Sequence, residues 1–372
     1  MLRFLTAGES HGKALVAIID GLPAGLKIDI DFINLELKKR QSGYGRGARM
    51  RIEKDTAEIL SGIRRGKTIG SPVAVLIKNK DFTIERMHSV FCPRPGHADL
   101  AGALKFKQPD MRNILERASA RETAARTAIG ALCKLMLAEF NIEIINHVVA
   151  IGNIRANMED LTLLQIKSQA LKSKLFCADK KAALLMQEKI DTARDRNDTL
   201  GGIFEIIALG LPPGLGSYTQ FDLRLNSCLL AAVSSIPAIK GVEVGLGFEC
   251  ASRFGSAVHD AIFYSHKNGF YRLTNNAGGI EGGMSNGEPI VLRAAMKPIA
   301  TLLSPLDSVS IKTKRSQPAQ VERSDICAVP AASVAASAMV AFELSKAFLT
   351  KFGADSLDEL KTNYRNHIKT LR

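Results

Sequence analysis

Two histidines in this chain sit where a side chain could pass a proton. His11 lies in Gly8-Glu9-Ser10-His11-Gly12, where small neighbours just before a strand-like run leave the imidazole sterically open. His97 lies in Pro93-Arg94-Pro95-Gly96-His97-Ala98-Asp99, where two prolines stiffen the backbone around Arg94. Histidine changes charge near neutral pH, so each is a candidate acid or base. Each also has a plainer reading, a turn whose imidazole bonds a neighbouring carbonyl. Ser10 beside His11 does not make a hydrolase: sequence neighbours rarely align as nucleophile and base, and the chain has no GxSxG elbow. Asp325, in Glu322-Arg323-Ser324-Asp325, adds a carboxylate to the set.

The second chemistry on offer is anion binding. In Lys38-Lys39-Arg40-Gln41-Ser42-Gly43-Tyr44-Gly45-Arg46-Gly47-Ala48-Arg49, glycines between arginines let the backbone fold around an anion while Arg40, Arg46 and Arg49 converge on it. A solvated loop and an RGG-like RNA-binding segment are the other readings. In Glu116-Arg117-Ala118-Ser119-Ala120-Arg121-Glu122, basic residues and a hydroxyl stand at a helix N-terminus, which favours a phosphate; an ordinary capped helix would read the same way. Gly278 to Gly287, containing Gly282, permits close backbone approach to a ligand but fits neither the Walker pattern nor a dinucleotide fingerprint. Lys297-Pro298-Ile299-Ala300-Thr301 follows it.

Charge distribution favours the anion reading. The 372 residues carry 50 Lys and Arg against 37 Asp and Glu, a formal charge of +13. Residues 40 to 126 hold 18 basic and 9 acidic residues, hence +9 of that excess, and 12 of the 18 are arginines. Arginine grips phosphate and carboxylate with a planar fork of donors, whereas a merely solubilising surface is satisfied with lysine. Nucleic acid remains an alternative partner. It calls for stacking aromatics or a recognisable module, yet aromatics are 6% of the chain, tryptophan is absent and no RNP or zinc-finger pattern occurs. Six cysteines are widely spaced with no CxxC, so neither a metal site nor a disulfide framework is expected, and reduced thiols in the cytoplasm fit better. The N-terminus has no continuous apolar stretch of the signal-peptide kind, so neither export nor a membrane partner is expected.

The elements that must position these residues are partly legible. Gly21-Leu22-Pro23-Ala24-Gly25-Leu26 recurs 189 positions later as Gly210-Leu211-Pro212-Pro213-Gly214-Leu215, each copy preceded by an apolar run and followed by a helix-like stretch. A duplicated strand–turn–helix unit is expected, with halves near 1–140 and 195–352 in a single domain spanning 1–372. In the second copy Thr199 and Leu200 face Ser10 and His11, so one active site per chain follows. Ser119-x-x-Glu122 reads as a capping box opening an Ala-rich helix to about Phe140, and Pro330 leads a second such helix that Gly353 stops near Phe352. A polar, solvent-facing helix is expected within an insertion at about 158–196. Strand-like runs are Pro72 to Lys78, Ile142 to Ile151, Gly202 to Leu209 and Pro289 to Met296. These elements suit an α+β layered fold better than regular βαβ alternation.

Taken together and in this order, the segments resemble the chorismate synthase family. Gly8 to Gly12 with Asp20-Gly21-Leu22-Pro23 looks like its first signature, Glu116 to Thr127 with Gly130 its second, and Arg323 to Val329 its third; Arg94 to Asp99, Gly278 to Gly287 and Lys297 to Thr301 also match. The likeness runs over about residues 1 to 350. Around Arg40 the chain departs: many relatives read RRxPG where this one has Lys39-Arg40-Gln41-Ser42-Gly43.

The resemblance implies the last step of the shikimate pathway, an anti-1,4-elimination of phosphate from 5-enolpyruvylshikimate-3-phosphate that gives chorismate. It implies reduced FMN as cofactor, without net redox change, and NADPH only as an indirect source of reducing power. A separate flavin reductase or NADPH oxidoreductase is the enzymatic alternative, for which no dinucleotide fingerprint is present. By position in the motifs, the resemblance implies His11 with Ser10 as the acid at the departing phosphate, His97 as proton donor to the reduced flavin, and Asp325 as the relay for the C6 proton. It implies Arg40, Arg46, Arg49, Arg94, Arg121 and Arg323 as the grip on substrate, or on NADP. Flavin contacts fall to Arg117, Ala118, Ser119, Pro237, Ala238, Gly282, Lys297, Pro298, Ile299, Ala300, Thr301 and Arg323, with no metal. The family fold is a β-α-β sandwich with mixed or antiparallel sheets around central helices, assembled as a homotetramer.

Overall fold

The structure is a computed structural model that describes residues 1–47, 52–266, 269–353 and 355–371. Two antiparallel sheets carry most of the strands. The first, in spatial order, pairs β1 (Arg3–Ala7), β2 (Ala14–Asp20), β4 (Val73–Lys78) and β3 (Glu58–Ile59). The second pairs β8 (Ile239–Val244), β9 (Ile290–Met296), β7 (Gly202–Leu209), β5 (Glu143–Ile151) and β6 (Ile154–Arg155). Alternation buries one face of each: in β4, Val73, Val75 and Ile77 are inside.

Two helices connect the sheets. α2 (Thr123–Ala138) packs on β2 and β4, α6 (Val329–Phe352) packs on β5 and β7, and the two pack on each other. Their alanines explain how close they come, since small side chains let helix backbones approach. α1 (Ile30–Gln41) lies against both, and α5 (Leu225–Ser234) against α6 and β8. One continuous apolar core therefore runs from Leu15 and Ile19 through Leu132 and Val340 to Phe204 and Leu292. α6 is long and apolar enough to cross a bilayer, but 78% of its apolar window is buried inside the protein, so its composition serves the core. Pro330 occupies its first turn and Gly353, at φ 60°, ends it.

Two local expectations need correction. The Ser119/Glu122 capping box does not close: Ser119 Oγ accepts the Arg121 N–H, but the Glu122 carboxylate takes Arg126 Nε and Thr6 Oγ1 instead, and α2 starts after a 3₁₀ turn at Ala120–Glu122. The polar stretch at 158–196 forms two helices, α3 (Leu163–Lys172) and α4 (Lys180–Asp195), each with its own cap, Thr162 and Asp179. Nor is α4 merely solvent-facing, because Ala182, Ala183, Met186 and Ile190 belong to the main core. At Ser42, where the chain departs from RRxPG, the residue caps α1: its Oγ donates to the Lys39 carbonyl and its N–H to the Lys38 carbonyl.

Both GLPxGL segments are turns joining a strand to a helix-forming stretch. Their glycines all take positive φ, Gly21 at 95° and Gly25 at 90°, Gly210 at 78° and Gly214 at 87°. Any other residue would be strained there, which accounts for the two glycines in each copy.

Candidate active site

The segments carrying the candidate residues meet at one cavity of about 470 Å³. Ser10, His11, Arg40, Arg46, Arg94, His97, Arg121, Arg323 and Asp325 line it. So do Ala118, Ser119, Pro237, Ala238, Lys297, Ile299, Ala300 and Thr301. Three proposed flavin contacts do not. Arg117 turns outward, its guanidinium donating to the carbonyls of Gly8 and Thr6 and to Thr6 Oγ1. Gly282 sits in the hairpin turn between Glu281 and Met284, where an added Cβ would meet nothing within 4 Å. Pro298 is absent from the lining although its neighbours on both sides contribute. Arg49 lies outside the described residues.

The His11 turn is built from three sides. Asn79, just after β4, donates its amide to the carbonyls of Glu9, Ser10 and Gly12. The Ser10 N–H donates to the Glu116 carbonyl at 2.9 Å, and the Glu116 carboxylate accepts the His11 N–H at 2.7 Å and lies 3.0 Å from its Nδ1. Ser119 Oγ donates to Ser10 Oγ at 3.2 Å. Burial works to raise the pKa of Glu116, but hydrogen bonds from His11 and Arg112 prevail and hold it below the ordinary carboxyl value.

His97 has a carboxylate of its own. Its Nδ1 is 2.5 Å from Asp99 Oδ1, while Arg94 donates Nε to Asp99 Oδ2 at 2.8 Å and Nη1 to Thr301 Oγ1 at 2.8 Å. Asp99, at the start of the helix Asp99–Phe106, is fully buried. Desolvation opposes its charge, yet His97 and Arg94 hold it well below the usual range. The rigid turn between Pro93 and Pro95 thus presents an imidazole and a guanidinium braced by one anion.

Arginines on two elements share a second brace. Arg40 at the end of α1 donates Nη2 to Asp55 Oδ2 at 2.9 Å, and Arg121 donates Nη1 to Asp55 Oδ1. Arg121 also donates Nε and Nη2 to Asn79 Oδ1, which couples the arginine cluster to the His11 turn. Arg46 pairs with Asp325 Oδ2 at 2.9 Å, and Asp325 Oδ1 accepts the Gly47 N–H at 2.6 Å. Burial lowers Arg40 to about 10, helped by the nearby Arg121 and Arg46 and opposed by Asp55. Among the described residues six cationic side chains line the cavity, Arg40, Arg46, Arg94, Arg121, Lys297 and Arg323, against Glu116, Glu322 and Asp325. Asp55 and Asp99 stand behind the guanidiniums, which orients them while leaving donors forward. Arg40 Nε is buried with no partner among the described residues, a donor that an anionic ligand would satisfy.

Only part of the local +9 serves this cavity: among the described residues of 40–126 the basic side chains in the lining are Arg40, Arg46, Arg94 and Arg121, whereas Arg64, Arg65 and Lys67 stand exposed on a separate small hairpin. Part of the lining is apolar, formed by Ala328 at the N-cap of α6, by Ala331, Ala332 and Ala335 within it, and by Ile236, Pro237 and Ala238. Apolar surface together with several cations suits a ligand with an aromatic ring and anionic groups. Lys297, tied to the Gly96 carbonyl at 2.9 Å, joins the wall to the His97 turn. In the second copy of the repeat, Thr199 donates to the Ile299 carbonyl at 2.8 Å, so the position facing Ser10 has a supporting part.

Comparisons with known proteins agree with this geometry. A family model described as chorismate synthase matches residues 2–349. The chain belongs to the chorismate synthase family. Chorismate synthase of Geobacter sulfurreducens is 55% identical over 391 residues, and that of Geotalea uraniireducens 53% over 393, each alignment covering 100% of both chains. A crystal structure of chorismate synthase superposes with a TM-score of 0.83 at 44% identity, covering 100% of this chain and 98% of the other. Residues of the site to which the motifs assigned no role are Glu116, Asp55, Asn79, Asp99 and Glu322. Glu116 and Asp99 lie inside the motifs that matched, so they were open to detection; Asp55 and Asn79 have no motif to mark them.

Proposed function

We propose that the chain is a chorismate synthase, a carbon–oxygen lyase that eliminates phosphate from 5-enolpyruvylshikimate-3-phosphate with reduced FMN, the last step towards chorismate. The observation that carries this reading is the meeting of His11, His97, Asp325 and six cationic side chains at one cavity beside an apolar wall. Substrate and flavin together present two phosphates and two carboxylates, and the donor set supports that demand. The apolar wall with Ser119, Lys297, Thr301 and Arg323 would hold the flavin, which supplies an electron-rich partner for loss of an unactivated C–H bond and a phosphate.

The chain's own groups then act in place. Arg40 and Arg121 receive charge as the C3–O bond breaks, needing no reorganisation because Asp55 and Asn79 already fix them. His11 gives a proton to the departing phosphate oxygen, with Ser10 and Ser119 alongside. His97, braced by Asp99, holds a proton at the far side of the cavity, and Asp325 receives the proton lost from C6 once Arg46 turns to the ligand. Phosphate and the C6 hydrogen leave together, so the reaction is redox neutral overall.

Sheet, helix, helix and sheet contact one another in that sequence, which supports a β-α-β sandwich, and the matching strand–turn–helix units support one domain built from two halves. Exposed Phe248, Phe254, Ile262, Phe270 and Leu273 cluster in one stretch of the chain and support burial against further copies in a homotetramer. No nucleic acid or membrane is needed to account for the charge, and a cytoplasmic location fits the free cysteines. The deciding experiment is anaerobic release of phosphate from 5-enolpyruvylshikimate-3-phosphate with chemically reduced FMN; no release from folded protein overturns the reading. Repeating it with oxidised FMN and NADPH decides whether NADPH acts only through an external reductase.

A further inference from the structure

Glu116 is only 1% exposed, and none of the roles above uses its side chain. Its carboxylate accepts the His11 N–H and meets the ring Nδ1 with both oxygens, while its carbonyl holds the Ser10 N–H. One residue therefore fixes two backbone positions and the imidazole. Arg112 supports it from behind, reaching Oε1 with Nη1 at 3.4 Å, donating Nη2 to Glu322 Oε1 at 2.8 Å and Nε to the His88 carbonyl at 3.3 Å. A carboxylate can only accept, so Nδ1 must carry its proton and Nε2 is the nitrogen left for a ligand. The other charged group beside the ring, Asp81 Oδ2, is 3.9 Å from Nε2, beyond hydrogen-bond length.

We propose that Glu116 is a positioning residue for the elimination: it assigns the imidazole proton to Nδ1, leaves Nε2 to serve the cavity, and is itself held by Arg112, which Glu322 holds in turn. The inference rests on His11 being the acid. When Nε2 has given its proton to the departing phosphate oxygen, the neutral ring left behind is the Nδ1–H tautomer, the form that Glu116 stabilises. Binding of the substrate's phosphate does not need this, so the effect belongs in kcat rather than KM.

The test pairs long-range ¹H–¹⁵N spectra of histidine-labelled protein with steady-state kinetics for the wild type, Glu116→Ala and Glu116→Gln. Neutral His11 is expected as the Nδ1–H tautomer in the wild type and as a mixture in Glu116→Ala. The alanine variant should lose about 10²-fold in kcat with KM within about threefold, and Glu116→Gln, which keeps one acceptor oxygen, should fall between. An Nε2–H tautomer in the wild type overturns the proposal, as does a wild-type kcat in Glu116→Ala or a loss of kcat with the tautomer unchanged. Should neither variant fold, the wild-type spectrum decides alone. A His11→Ala enzyme with full turnover would overturn the acid assignment instead, and the tautomer measurement, which needs no turnover, separates the two failures.

Discussion

Thr68 and Ser285 clasp the two GLPxGL turns with the same three bonds. Thr68 Oγ1 donates to the Pro23 carbonyl at 2.6 Å and accepts the Leu26 N–H at 2.9 Å, while its own carbonyl accepts the Gly25 N–H. Ser285 Oγ donates to the Pro212 carbonyl at 2.6 Å and accepts the Leu215 N–H at 2.8 Å, and its carbonyl accepts the Gly214 N–H. Removing either hydroxyl strands a buried donor and a buried acceptor, which costs about 1–3 kcal/mol. Thr68→Val and Ser285→Ala should each lower stability by that amount in urea unfolding. The two clasps share no partner, so the double variant should show the sum; a neutral result at either site would remove the clasp from the account of the turn.

Asp55 is the next test, because two cavity arginines depend on it. Arg40 and Arg121 are 3% and 5% exposed, and Asp55 accepts from both. Burial works to raise the pKa of Asp55, yet the two arginines hold it below the usual value. Asp55→Ala leaves two buried cations without their carboxylate, for which the expected loss is about 3–5 kcal/mol. Asp55→Asn retains an acceptor and should lose less. Denaturant midpoints check the order, which reverses if the site carries surplus negative charge.

Acid should weaken the protein through Glu36. On α1 its carboxylate accepts Lys39 Nζ and Lys134 Nζ, each at 2.6 Å, and the residue is 3% exposed. Desolvation opposes its charge, but the two ammonium groups hold it down, from an ordinary 4.5 to about 2. A depressed folded value means the contribution is complete above the unfolded value near 4.5 and is lost as pH falls towards 2. The shift corresponds to at most about 3 kcal/mol. Between pH 5 and pH 3 the wild type should therefore lose stability more steeply than Glu36→Gln. Parallel slopes would show that other carboxylates carry the acid response.

The two histidines can be told apart kinetically. His11→Ala and His97→Ala should each cut turnover by about 10²- to 10⁴-fold if each handles a proton. Asp99→Asn removes the anion that braces His97 and Arg94 together, so it should depress kcat as His97→Ala does and in addition raise KM through Arg94. Near-wild-type rates with intact FMN binding would take that residue out of the mechanism.

How much of this was legible in the sequence follows from how local each signal is. The strands at Val73–Lys78, Glu143–Ile151, Gly202–Leu209 and Ile290–Met296 fall within a residue of their expected ends, because alternation and flanking turn residues are local patterns. The GLPxGL repeat was visible; its clasp was not. Thr68 and Ser285 are 217 positions apart whereas the turns are 189 apart, so no fixed offset finds them. The braces behind the site were hidden for the same reason: His11 meets Glu116 105 residues away, and Arg121 meets Asp55 66 away. Motifs marked the groups that face the ligand, and only the fold shows what holds them.

Gly130 tests the closest helix contact behind that site. A Cβ built there would lie 2.2 Å from Ala338 Cβ, 2.3 Å from Ala338 Cα and 2.6 Å from its carbonyl oxygen, so α2 crosses α6 with no room for a methyl group. Within one helix, alanine is better than glycine by about 1 kcal/mol. Here the overlap is with backbone as well as side chain, so the helices must separate, and overpacking of that kind costs about 1–3 kcal/mol or more. Gly130→Ala should therefore be destabilising despite its propensity. Adding Ala338→Gly should not restore it, since the Cα and carbonyl of residue 338 remain in the way. Separation would also displace the Ser119–Arg121 turn at the head of α2 from the alanine wall of α6, so turnover should fall with stability. A double variant as stable as the wild type would place the obstruction in the Ala338 methyl alone.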